Sequence, residues 1–165
     1  LMNFFNQKKY KIFSFKKKYI FKKNKVLFGW HAPHKWKSKQ MPFHKWKRLK
    51  EKLEKNFNLN IEFQLHNAGI KKLISQIKTS EFVVTIVSLV AHLSALYNKK
   101  TILLSGPTIY DEYKKINNLK LVKPSYSPNC KKCISNKDNK NCICMNNIDV
   151  NEVIKNFKKL KFDAF

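Results

Sequence analysis

The sequence predicts an α/β domain, doubly wound, with a mainly parallel sheet covered by helices on both faces. Three observations lead there. The strand candidates are solid apolar runs rather than alternating ones, as expected of strands buried on both faces. They are interleaved with stretches whose apolar residues recur every three and four positions, the period of a helix with one buried face. Finally, 43% of the 165 residues are apolar and 22 are aromatic, enough for one substantial core.

Each element has its own signal. Val26-Leu27-Phe28, ending at Gly29, reads as a short buried strand, followed by a polar loop with Pro33 and Pro42. Pro42 stands where a helix begins, and Phe43, Trp46, Leu49, Leu53 and Phe57 form its inner stripe. Asn60 to Leu65 is a weaker strand, and Ile70, Leu73, Ile74 and Ile77 mark another short helix. Phe82 to Val87 is a β-branched strand, with Ser88 as N-cap of a helix over 89–97. Thr101 to Leu104 is the next buried strand, stopped by Ser105-Gly106-Pro107-Thr108. Asp149 and Glu152 have capping-box spacing for a last helix over 150–161, with Val150, Val153, Ile154, Phe157 and Leu160 inside. The domain is therefore expected over 26–165, with a Cys-containing loop at 130–144. Residues 1–25 are expected to be a basic, aromatic lead-in or linker.

Composition excludes several function classes. With three glycines, Gly29, Gly69 and Gly106, the chain has neither a dinucleotide fingerprint nor a Walker A loop. No apolar run approaches the roughly 18 residues of a membrane span. The formal charge is +25, from 35 Lys and Arg against 10 acids. Such a balance suits phosphate-rich partners: nucleic acid, an anionic membrane surface or a phosphorylated substrate. Against a specific use of that charge stands the composition itself. Lys, Asn and Ile, all with A/T-rich codons, supply 66 residues, and Arg48 is the single arginine. Direct readout of guanine favours the guanidinium fork, so nucleic acid is the less favoured partner. Residues 1–50 carry 15 lysines and no acid. Their Lys16-to-Lys23 stretch fits either a solvated connector or a segment lying on anionic lipid. The chain is expected in the cytoplasm, or peripherally on the inner face of the cytoplasmic membrane.

In doubly wound sheets, ligands bind beyond the carboxyl ends of the strands. The loops to examine are those after Gly29, Val87 and Leu104. Val87-Ser88-Leu89-Val90-Ala91-His92 sets a helix N-terminus at a strand end, with free N–H groups for an anion and a hydroxyl from Ser88. His92 lies one turn in; taken alone it equally suits a buried histidine bonded to backbone. Lys39 stands in the first loop, and Gly106, Pro107 and Thr108 supply a sharp turn in the third. Cys130, Cys133, Cys142 and Cys144 lie within fifteen residues. They are open to three readings: a structural zinc site, reduced thiols, or two disulfides.

Together and in order, these features resemble the carboxyl-terminal half of glycosyltransferase family 9, the ADP-heptose:lipopolysaccharide heptosyltransferases. Ser38-Lys39-Gln40-Met41-Pro42 resembles its K-x-W-P loop, and Val87 to Ser94 its D-[ST]-G-x-x-H-L-A turn. Gly106-Pro107-Thr108 and Cys144-Met145-Asn146-Asn147-Ile148 resemble its G-P-T and C-M-x-x-I segments. The resemblance spans about residues 26–160 and implies a Rossmann-like domain, one half of a two-domain glycosyltransferase. It implies a nucleotide diphosphate sugar as donor, heptose-like, and a glycan or lipopolysaccharide as acceptor. No cofactor is required for such a transfer. On that reading Lys39 contacts the diphosphate, Ser88 and the amides of Leu89 and beyond cradle it, His92 supports the turn or touches the phosphate, and Gly106, Pro107 and Thr108 lie beside the nucleotide. Val87 and Leu89 stand where the family has an acid and a glycine. The family's acceptor domain and catalytic base have no counterpart here, so the chain reads as truncated or as a half-enzyme, with no catalytic residue assigned. Two alternatives from other classes are a small RNA-binding or ribosome-associated protein with a zinc-stapled tail, and a non-catalytic remnant that binds anionic membrane.

Overall fold

The structure is a computed structural model that describes residues 21–31, 38–106, 113, 116–126 and 143–162. Five strands form one sheet: β1 Lys25–Gly29, β2 Asn60–Phe63, β3 Phe82–Ile86, β4 Lys100–Leu104 and β5 Leu119–Val122. Their order is β2-β1-β3-β4-β5, and every neighbouring pair is parallel. Four helices accompany them: α1 Phe43–Phe57, α2 Gly69–Thr79, α3 Leu89–Leu96 and α4 Val150–Phe162.

The sheet is covered on both faces because successive strand residues point to opposite sides. Val26, Phe28, Phe82, Val84, Ile86, Ile102 and Leu104 face α1 and α4, where they meet Trp46, Leu49 and Leu53 of α1 and Val153, Phe157 and Leu160 of α4. Leu27 and Val83 face the other way and meet Leu73 and Ile77 of α2 and Val90 of α3. Leu103 on that same face packs with Ala91 and Tyr113. The solid apolar runs of β1 and β3 follow from this arrangement, since neither alternating set reaches water.

Differences from the sequence reading are local. β5 has no counterpart among the strands the sequence predicts. It is a four-residue edge strand whose first three residues are half-exposed, and Lys120 sits inside it. Short length and a lysine are what protect a sheet edge, and they also erase the apolar run that marks a strand. At α4, the Asp149 carboxylate accepts the Asn151 N–H at 2.9 Å. The reciprocal half of the capping box is absent among the described residues, because Glu152 accepts from the Asn156 amide at 2.8 Å instead. Ser88 occupies the N-cap position of α3, yet its side chain makes no cap hydrogen bond. Its Oγ lies 3.4 Å from Thr85 Oγ1. No described helix is long and apolar enough to cross a membrane.

Candidate functional site at the carboxyl ends of β1 and β3

The strand order locates the switch point. The chain leaves β1 toward β2 on one side and leaves β3 toward β4 on the other, so a crevice opens between the carboxyl ends of β1 and β3. Its floor is the Gly29–Thr85 pair. Thr85, a hydroxyl in an otherwise apolar strand, is fully buried and donates to the Gly29 carbonyl at 2.9 Å. Gly29 must be glycine, because a Cβ there would collide with the Thr85 side chain and with Val90 at the start of α3. This close approach seats the N-terminus of α3 directly against β1.

The first N–H groups of a helix have no partner within it. At α3 the Ser88 hydroxyl is turned toward Thr85 and does not cap them, while the Ser88 carbonyl accepts from Ala91 at 3.0 Å. The terminus thus presents N–H groups and the positive end of the dipole toward the crevice, an arrangement that favours an anion. Leu89 stands at this mouth, half-exposed to solvent. Lys39 lies in the loop between β1 and α1, on a short helical turn with the buried Ser38. Because β1 and β3 are neighbours, the loops bearing Lys39 and Ser88 leave the sheet side by side.

His92 lies on α3 as expected, exposed, and its Nε2 is hydrogen-bonded to Tyr113 Oη at 2.9 Å. The described partner is therefore a buried tyrosine from the β4–β5 connection, a residue with no signal in the local sequence pattern. Gly106 follows β4 and packs against Met145, whose Sδ occupies the space a side chain would need. The Gly106 position thus joins β4 to the C-M-x-x-I segment. That segment is a 3-10 turn, Met145–Asn147. It is further held by Lys45 Nζ, which donates to the Ile148 carbonyl at 2.9 Å and to the Asn146 carbonyl, and by the Ser125 N–H on the Asn147 carbonyl at 3.0 Å. Pro107 and Thr108 lie outside the described residues. So do Cys130, Cys133 and Cys142. Cys144 is buried, and among the described residues no three His, Cys, Asp or Glu side chains gather as metal ligands.

Two further features were not read from the sequence. An aromatic wall stands over the carboxyl ends of β1 and β2. Trp30 lies 5.1 Å from Phe43 and 6.3 Å from Phe63 between ring centroids, and Trp30 Nε1 donates to the Gln64 carbonyl at 3.3 Å. A cavity of about 230 Å³ lies between α1, at His44, Lys45 and Arg48, and the start of α4 at Asp149 and Asn151. It lies between the first turns of α1 and α4. The Lys45 ammonium is committed to carbonyls and the Asp149 carboxylate to a helix N–H.

A five-stranded parallel sheet in this order, with helices on both faces and a helix N-terminus at the switch point, defines a Rossmann-like α/β domain. Among solved structures, E. coli heptosyltransferase WaaC with ADP is similar, with a TM-score of 0.63 and 14% identity over 83% of this chain and 44% of that one. This chain therefore spans less than half of the protein it matches. No protein-family model and no curated protein matches it.

Proposed function

We propose that this chain is the donor-binding half of a glycosyltransferase of the heptosyltransferase type, taking a nucleoside diphosphate sugar at the β1–β3 crevice. The observation that carries this reading is the uncapped N-terminus of α3 seated on the Gly29–Thr85 floor. Further support comes from the ordered sequence motifs and from a fold shared with a protein whose structure holds ADP.

On this proposal the amides of Leu89 and Val90 receive the diphosphate, Ser88 adds a hydroxyl, and Lys39 approaches from the neighbouring loop. His92, through Tyr113, steadies the first turn of α3. Thr108 lies beside the nucleotide, and the sugar passes to a glycan or lipopolysaccharide acceptor. When the bond between sugar and diphosphate breaks, negative charge collects on the departing phosphate. Fixed N–H groups and an ammonium stabilise that charge without reorganising. Cys130, Cys133, Cys142 and the buried Cys144 would together supply four thiolates to a structural zinc ion.

Isothermal titration of the full chain with ADP tests the reading. Binding is expected to be stronger for ADP than for AMP, and Lys39→Met is expected to weaken it about tenfold, the worth of one charge-assisted hydrogen bond. Equal affinity for ADP and AMP, unaffected by Lys39→Met, would overturn it.

A further inference from the structure

The cavity between α1 and α4 is a second place where shape and charge coincide. It measures about 230 Å³ and is lined by His44, Lys45 and Arg48 of α1 and by Asp149, Val150 and Asn151 at the start of α4. His44, Arg48 and Lys52 recur every four residues and so share one stripe of α1. The lysines here join the two walls. Lys52 Nζ donates to Asn151 Oδ1 at 2.9 Å, and Lys45 Nζ donates to the Ile148 carbonyl at 2.9 Å and to the Asn146 carbonyl. Both bonds tie α1 to residues at the head of α4.

His44 and Arg48 have no such duty. Among the described residues neither has a hydrogen-bond or ion-pair partner, and both are exposed to solvent where they line the cavity. Arg48 is the single arginine among 35 Lys and Arg. Its guanidinium is a planar fork of donors that fits two oxygens of one phosphate, a match an ammonium does not reproduce. One carboxylate lines the cavity, that of Asp149, and it already accepts the Asn151 N–H at 2.9 Å. Two full positive charges and an imidazole therefore face one occupied carboxylate. The dipole of α4 adds to this field, but the guanidinium and the imidazole make the site.

Size narrows the choice of ligand. Pockets for drug-sized molecules run to roughly 300–1,000 Å³, so this smaller cavity suits a phosphate with a small body attached rather than a whole nucleotide. We infer that the α1–α4 cavity is a second anion site, taking the phosphomonoester group of a small phosphorylated sugar or polyol on Arg48 and His44. Arg48 grips two phosphate oxygens, His44 donates to the third from one turn earlier, and the ester body lies along Ile148 and Val150, the apolar part of the lining. This inference does not depend on what the β1–β3 crevice binds.

Titration of the full chain with glucose 6-phosphate, followed by backbone amide shifts, tests it. At about 0.15 M salt, exposed charges more than roughly 8 Å apart are screened. Saturable shifts are expected at His44, Arg48, Val150 and Asn151, with Ser88, Leu89 and Val90 unmoved. Inorganic phosphate should shift the same amides but bind several times more weakly, having nothing to lay against Ile148 and Val150. Arg48→Gln should weaken glucose 6-phosphate roughly tenfold, the worth of a charge-assisted pair. Lys47→Gln, at the neighbouring exposed position, removes the same charge and should change affinity about twofold at most. Circular dichroism and thermal melts confirm that each variant is folded. Equal losses from the two variants would overturn the inference, because binding would then follow net charge alone. Shifts centred on Ser88 to Val90 would also overturn it, since the ester would then occupy the crevice. Equal affinity for inorganic phosphate and glucose 6-phosphate would overturn the assignment to an ester.

Discussion

The two ends of the sheet are built from the same strands yet differ in what they expose. At the carboxyl end, β1 and β3 come so close to α3 that only glycine fits at position 29, and polar groups face one another: Thr85, Ser88 and an uncapped helix terminus. At the amino end, Phe57, Phe82 and Phe157 fill the interior with ring centroids 4.9–5.6 Å apart, and the surface is lysine. The carboxyl end spends its geometry on the close approach of α3 to β1, where we propose that an anion binds, whereas the amino end is a stable base with a cationic rim. Parallel topology imposes part of this difference, since all helix N-termini gather at one end and all C-termini at the other.

Perturbing the base should have the largest effect. Phe157→Ala removes a fully buried ring that contacts Phe57 and Phe82, and about 4 kcal/mol of stability should be lost in urea denaturation. A loss under about 1 kcal/mol would mean that the two helices on that face are not packed as described.

Gly29→Ala should cost less, about 2 kcal/mol, because one methyl must displace Thr85 and Val90. It should also abolish ADP binding where the protein remains folded, since the displacement moves the α3 terminus. A variant that kept both its stability and its ADP affinity would remove the floor from the proposed site.

Leu89→Gly sharpens the comparison in the opposite direction. It removes an exposed side chain beside the first amides of α3 and should tighten ADP binding roughly fivefold, about 1 kcal/mol, by calorimetric titration; unchanged affinity would show that Leu89 does not obstruct the site.

The effect confined to the narrowest range of conditions, alkaline pH, concerns Lys99. Burial lowers its pKa from 10.5 to about 8, a shift partly opposed by Glu81. The unfolded chain therefore holds a proton that the folded chain has released between about pH 8 and 10.5, and stability from this group rises with pH across that window. Below about pH 8 the cost of burying the ammonium is fully present. Lys99→Met should flatten this component of the urea-midpoint profile, and identical profiles for the two proteins would contradict it.

The sequence made legible whatever depends on local pattern. The apolar runs of β1, β3 and β4, the stripe Trp46-Leu49-Leu53 and the stripe Val153-Phe157-Leu160 all form the expected elements. β5 escaped because an edge strand needs no continuous apolar run. In the site, Ser88 was placed correctly at the head of α3, but its hydroxyl turns toward Thr85, a competitor whose orientation depends on the β1–β3 register. Gly106 looked like a generic turn because the side chain it makes room for, Met145, belongs to a distant part of the chain. Tyr113, the partner of His92, lies in a stretch without periodicity. Thr85 was the one missed residue with a signal, as a hydroxyl inside a β-branched run.

The central claim is that a diphosphate binds at the carboxyl end and not on the cationic rim. Backbone amide chemical shifts of the full chain, recorded during titration with ADP, test it most directly. The account predicts saturable shifts concentrated at Gly29, Ser88, Leu89 and Val90, with Lys22, Lys23 and Lys100 unmoved. Shifts confined to those lysines, fading as salt is added, would contradict it and would mark the nucleotide as a counterion of a basic protein.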